Sequence, residues 1–343
     1  MHLQSIQNIN DLEKIGTEWN QLLTSCSASY VPFLRHEFLC AWWKNLGGGE
    51  WQEANLYTIL GRSDSQEPLG IAPLFFTKNL EDLPALMLLG SIEIADYLDF
   101  IAKPKDIPPF VDSVLDLLSS EEAPNWQVLD LYNIPEESPT IPALQRAAEK
   151  RDWLFTLKKL QPCPYIPLPG DWEEYLAGID KKQRHEIRRK LRRAENYELP
   201  VSWFISEQEE TLANDIEAFF SLMAQDTEKE AFLTESMRSH LQETIQAAFK
   251  AGWLQLAFLE IGGEKAAGYL NFDFNDHIWV YNSGLNYQYG NLSPGWVLLS
   301  ELIKWAIENK RSSVDFMRGD ENYKYKFGGI DRFVMRVSIS RKS

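Results

Sequence analysis

The stretch HIWVYNSGLNYQYGNLSPGWVLLSELIKWAIENKRSSVDFMRGDENYKYKFGG, residues 277 to 329, decides how this chain folds. It reads as a strand (HIWVYNSGL), a polar connection (NYQYGNL), a helix opened by Ser293-Pro294-Gly295, a second strand (SVDFM) and a dense polar turn. Ser293 is placed as the helix cap and Pro294 as the first helical residue, where a missing N–H costs nothing. Gly295 and Trp296 follow with backbone N–H groups that no earlier carbonyl is expected to satisfy. Val297, Leu298, Leu302, Trp305 and Ala306 recur at helical spacing, so one face is expected to be buried and the positive end of the helix dipole held in place. Such an end is a docking point for phosphate.

Three strand-like segments precede it: Trp253 to Glu260, Lys265 to Phe274 and His277 to Gly284, joined by turns at Gly262-Gly263 and Asn275-Asp276. A meander that feeds a helix and then a parallel strand is a recognisable order. With YNSGL, LSPGWVLL and DFMRGDENYKYKFGG in their places, the chain resembles the GNAT acyltransferases, in particular the FemAB-like, CelD-type bacterial branch. The resemblance implies an α/β (α+β) fold of two tandem GNAT-like domains, each a mixed, mostly antiparallel sheet flanked by helices, and a donor site in the second. It puts the pyrophosphate of acetyl-CoA or another acyl-CoA on Ser293, Pro294, Gly295 and Trp296, and the donor carbonyl against the backbone of Tyr281, Asn282 and Ser283. Tyr289-Gly290-Asn291-Leu292 stands where the family's glycine-rich signature falls, and FemAB relatives use aminoacyl-tRNA as the alternative donor.

A chain of 343 residues is expected to form two domains, and 44% apolar content is ample for their cores. The net charge of -16 argues against general affinity for DNA or an anionic membrane. Cys26, Cys40 and Cys163 are few, odd in number and not at metal spacing, which fits a reducing cytoplasm and no metal. The first residues lack a basic, apolar leader, and no run approaches the roughly 20 apolar residues of a membrane span.

The first half repeats the order of helices, meander, helix, strand, helix, strand, so residues 1–160 are expected to form a degenerate copy of the second domain. Its corresponding helix follows AKPKDIPPF, without a Ser-Pro-Gly start, and no donor site is expected there. QPCPYIPLPGDW, rich in proline, marks a stiff linker at residues 161–170, and the transferase domain is expected to occupy residues 171–343. The segment AQDTEKEAFLT reads as a mobile polar loop over the site.

Residues 181 to 193, KKQRHEIRRKLRR, hold eight Lys or Arg against one Glu, formally +7, so the rest of the chain carries -23. Like charges at helical spacing repel, and exposed ion pairs contribute about 0–1 kcal/mol each, too little to explain the concentration. A phosphate-bearing ligand explains it, with Arg184, Arg188, Arg189 and Arg192 as the expected contacts. The resemblance implies the same, since the family carries a basic helix at this place. Acceptor contacts are also expected from Asp96, Tyr97, Arg318 and Lys324. By resemblance to the GNAT tyrosine after the fifth strand, Tyr323 is the expected acid and Glu321 or Asp320 the base. The expected activity is transfer of an acyl, normally acetyl, group by direct attack onto an amine of a small-molecule or phosphorylated glycan precursor. The alternatives are tRNA-dependent transfer to a peptidoglycan precursor and a noncatalytic scaffold.

Overall fold

In the computed structural model, which describes residues 1–49, 51 and 53–341, the chain divides into two units. Met1–Pro162 together with Phe333–Ser343 make the first, and Cys163–Arg332 the second.

The first unit opens with β1 (His2–Ile6) and helices α1 (Ile9–Lys14), α2 (Gly16–Leu23) and α3 (His36–Leu46). Six strands follow: β2 (Asn55–Leu56), β3 (Thr58–Arg62), β4 (Pro68–Ala72), β5 (Leu74–Lys78), β6 (Pro84–Leu88) and β7 (Ile101–Ala102). Then come α4 (Ile107–Ser119), β8 (Val128–Pro135), α5 (Thr140–Lys150) and the long β9 (Leu154–Pro167). Strands β1, β3, β4 and β7 form one antiparallel sheet. Strand β6 runs parallel to β8 and antiparallel to β5, which pairs with β2. Trp19, Trp42, Phe33, Phe38, Phe75 and Phe110 are fully buried, and burying each aromatic contributes about 1.5–3 kcal/mol.

The second unit contains α6 (Trp172–Gly178), α7 (Lys181–Glu195), β10 (Val201–Ile205), α8 (Glu209–Met223), α9 (Thr227–Phe232) and α10 (Glu235–Lys250). The meander β11 (Leu254–Ile261), β12 (Glu264–Phe274) and β13 (His277–Leu285) leads through a 3-10 turn, Tyr287–Leu292, into α11 (Pro294–Glu308). Then follow β14 (Ser313–Asp315), α12 (Asn322–Lys326) and β15 (Ile330–Ser340). The meander is antiparallel, β14 joins β13 in parallel, and residues 165–167 of β9 flank β14. Val297, Leu298, Leu302 and Ala306 of α11 pack on Ala257, Ala267, Tyr269 and Val280 of the sheet, so the apolar stripe read from the sequence is the one that is buried.

Three boundaries differ from expectation. The last strand leaves the second unit: Val334 to Ser340 pair with β8, and Arg336 holds the buried Asp130 at 2.7 Å and Glu81 at 2.9 Å. The proline-rich stretch is extended as expected, but up to Pro167 it is part of β9, whose residues 165–167 pair with β14, and not a free linker. The expected loop at 224–234 contains α9, which Asp226 caps by accepting from the N–H groups of Glu228 and Lys229.

Candidate active site

Strands β13 and β14 are in register only from His277↔Ser313 to Trp279↔Asp315. Strand β14 stops there, and β13 runs on for six residues without it. A register shift between Leu270 and Asn271 adds a further bend, since Tyr281 is the extra residue on β13. A cavity of about 330 Å³ lies in the opening so formed. Its walls are Ser283 and Leu285 of β13, Tyr269 of β12, the start of α11 from Ser293 to Trp296, Lys190 of α7, and Tyr323 and Phe327 of the α12 segment.

The start of α11 differs from a side-chain cap. Ser293 takes a left-handed conformation (φ 53°), and its hydroxyl caps nothing. Its carbonyl accepts from the N–H of Trp296 at 2.9 Å, contrary to the expectation that this amide would be open. The Gly295 N–H meets no acceptor among the described residues, so the helix end presents one free amide. Tyr289-Gly290-Asn291-Leu292 folds into the 3-10 turn, with Ser293 N–H on the Gly290 carbonyl at 3.1 Å and Leu292 buried against Ile261 and Ala266. This turn spends its own amides internally and offers no glycine-rich cradle.

What the loop lacks in amides, side chains replace. Lys190 has its ammonium 4.1 Å from the centre of the Trp296 ring and 3.7 Å from Glu186. Burial lowers its pKa, and the nearby Lys326 lowers it further. None of the four expected arginines lines the cavity. Arg184 reaches the carbonyls closing α6 at 3.3 and 3.5 Å, Arg188 pairs with Glu173, Arg189 with Glu186 at 2.8 Å, and Arg192 with the Arg188 carbonyl. Lys190 falls on the stripe Ile187, Leu191, Ala194, at i+3 from the first, so the apolar periodicity that defines the buried face also points this lysine inward.

Tyr323 lies in the cavity wall, its ring edge-on to Phe316 at 5.9 Å. Burial raises its pKa, and Tyr269 and Glu321 add to the effect, so the hydroxyl keeps its proton at neutral pH. Asp320 and Glu321 do not line the cavity; the Glu321 carboxylate is 2.8 Å from Lys324 and largely exposed. Lys324 is 2% exposed and donates to the carbonyls of Met317, Arg318 and Gly319 at 3.2, 2.7 and 3.2 Å. It therefore ties the turn after β14 together and is not placed to meet an acceptor. Arg318 contributes its carbonyl to this turn and is not in the cavity wall. Tyr281 packs on Phe272 at 5.4 Å, and with Asn282, which accepts from the Ser283 N–H, it stands outside the cavity wall. Asp96 and Tyr97 are buried in the first unit and are not among the residues that line this cavity.

Lys229, which nothing in the sequence singles out, donates from α9 to the Ser283 carbonyl at 2.5 Å and the Ser283 hydroxyl at 3.3 Å. The three cysteines are buried, and burial pushes the Cys26 thiol up to about 12, so Cys26 is not an activated nucleophile of the kind that acyl transfer through sulfur needs. Among the described residues no cluster of His, Cys, Asp or Glu is arranged for a metal, and no helix is long and apolar enough to cross a membrane.

A meander thus parts from a parallel strand, with a helix N-terminus at the gap. Residues 181–325 match the family model described as an acetyltransferase (GNAT) domain. The chain is similar over 98% of its length to 97% of the crystal structure of FemX (14% identity, TM-score 0.61). It is also similar to a conserved protein of unknown function from Bacteroides thetaiotaomicron (12% identity, TM-score 0.59, 99% of each chain). A third similar structure is the C-terminal domain of a putative lysylphosphatidylglycerol synthetase from Agrobacterium fabrum (10% identity, TM-score 0.58, 95% of this chain and 92% of that one). No curated protein matches the sequence. Residues 181–325 thus carry the match to the GNAT domain model, and the chain shares its fold with FemX.

Proposed function

We propose that the second unit transfers an acyl group from acyl-CoA to an amine on a sugar, sugar nucleotide or related cell-envelope precursor, by direct attack. The observation that carries this reading is the cavity itself. It is walled largely by apolar and aromatic side chains, as a pantetheine arm requires, and has a free amide and a cation at one end and a protonated phenol in its wall. The Gly295 N–H and Lys190, with Lys326 in electrostatic range, form the anion-binding end for the diphosphate. Tyr323 donates its proton to the leaving thiolate.

Calorimetric titration with acetyl-CoA and longer acyl-CoAs tests the donor: heat and a raised melting temperature are expected, and their absence with every acyl-CoA sinks it. Tyr323→Phe is expected to lower kcat by about 10²–10⁴ while leaving donor affinity unchanged. An aminoacyl-tRNA donor is the second reading. The exposed arginines 188, 189 and 192 on the outer side of α7 favour it, since they stand outside the cavity wall. Protection of α7 from proteolysis by tRNA, but not by acetyl-CoA, would select it.

A further inference from the structure

An acceptor amine must lose a proton as it attacks, and the cavity wall contains no carboxylate to take it. Beside the wall, the half-buried amine of Lys229 reaches the carbonyl of the wall residue Ser283. We propose that Lys229 is the proton acceptor for the attacking amine, an inference that rests on the transferase reading above. A neutral amine has two N–H bonds and one lone pair. The contacts to the Ser283 carbonyl and hydroxyl use both hydrogens, which leaves the lone pair for an incoming proton. Ser283 pairs with Tyr269 across β12 and β13, and both line the cavity, so the amine stands at the face where the donor carbonyl is expected.

Two charges face this amine: Asp226, from the cap of its own helix, and Glu321, from the turn after β14. Both favour the ammonium, and the Asp226 carboxylate is also engaged by the Tyr287 hydroxyl at 3.2 Å. Burial is the larger effect and lowers the pKa of Lys229. In the step, the acceptor nitrogen forms a bond to the acyl carbon and the carbon–sulfur bond of the thioester breaks. The nitrogen's proton passes to Lys229, the thiolate takes the proton of Tyr323, and both side chains return to their starting states by exchange with water.

A purely positional role for Lys229 would require only its charge and hydrogen bonds to β13, which arginine supplies; a proton-accepting role excludes arginine, whose pKa stays above about 12. Turnover of acetyl-CoA with glucosamine as probe amine is therefore measured for the full chain and for Lys229→Arg and Lys229→Met. Both variants are expected to lose about 100-fold or more in kcat, with unchanged calorimetric affinity for acetyl-CoA. Lys229→Arg at near wild-type kcat overturns the assignment. A second readout needs no ligand: the pH dependence of acetic anhydride labelling, read by peptide mass spectrometry. Lys229 is expected to reach half-maximal reactivity at lower pH than the exposed Lys250, and an equal or higher midpoint also overturns the assignment. A wild-type chain that neither binds acetyl-CoA nor releases thiol sinks the transferase reading instead, and labelling alone then decides the basicity of Lys229.

Discussion

Lys324 shows how a charge can serve the fold of a site without entering it. Its ammonium is almost fully buried, and three main-chain carbonyls and one carboxylate surround it. The turn it gathers includes Met317 and Gly319, both at positive φ, and the Met317 N–H donates to the Asp315 carboxylate at 2.7 Å. Lys324→Met keeps the stem but leaves buried acceptors unsatisfied, and a loss of about 3 kcal/mol is expected in denaturant unfolding. Asp99, in the first unit, makes a pH-dependent case. Burial lifts its carboxyl to about 6, against the hydrogen bonds from Ser138, Thr140 and the Phe100 N–H. Because the folded pKa exceeds the unfolded 3.8, the contribution to stability is full below about pH 4 and lost as pH rises through 6. At about 1.4 kcal/mol per unit, Asp99→Asn is expected to gain about 3 kcal/mol on the wild type between pH 4 and pH 8, read from unfolding midpoints at each pH. A difference that does not change with pH would show that Asp99 titrates normally.

At the level of elements, α8 lies close against β13 at Gly284, next to the cavity residues Ser283 and Leu285. A Cβ on Gly284 would stand 2.5 Å from the Met223 nitrogen and 2.6 Å from the Leu222 carbonyl carbon. Both are backbone atoms and cannot rotate away, so Gly284→Ala is expected to cost about 1–3 kcal/mol and to weaken acetyl-CoA binding with it. Gly295 is a useful contrast, since its Cβ would meet only the Leu285 methyl at 2.7 Å, a side-chain tip that can turn aside. Gly295→Ala is expected to leave the melting temperature nearly unchanged, and equal losses in the two variants would refute this account. The sequence disclosed these elements because their signals are local: period-two meander strands, Ser-Pro-Gly at a helix start, and the stripe of α11. It did not disclose which basic residue turns inward. Charge density drew attention to the arginines, whereas the stripe of Ile187 and Ala194 selects Lys190. Lys229 left no mark at all, since its role depends on a carbonyl 54 residues away in sequence. The open amides were overcounted because the left-handed Ser293 turns its carbonyl onto Trp296, a geometry no side-chain identity announces.

Over the whole molecule, charge is divided unevenly, and this bears on how a polyanionic donor arrives. A net -16 repels a nucleotide at long range, while residues 181–193 of α7 concentrate +7 beside the cavity. At low ionic strength both fields act; near 0.15 M the screening length is about 8 Å, and only the cations at the cavity remain effective. Lys190 is mostly shielded from solvent, so its attraction to a bound diphosphate survives salt better than that of the exposed arginines. Raising salt from 0.05 to 0.5 M is therefore expected to weaken acetyl-CoA binding by less than about tenfold in the wild type. Lys190→Met removes a charge-assisted contact of about 1.5–3 kcal/mol and is expected to raise Kd by about 10- to 100-fold at every salt concentration. Replacing Arg188, Arg189 and Arg192 by Gln is expected to flatten the salt dependence while leaving the high-salt Kd in place. Calorimetric titration of acetyl-CoA across the salt series separates these effects. If the triple arginine variant loses affinity at 0.5 M salt as Lys190→Met does, the diphosphate lies along the outer face of α7 and not at the start of α11.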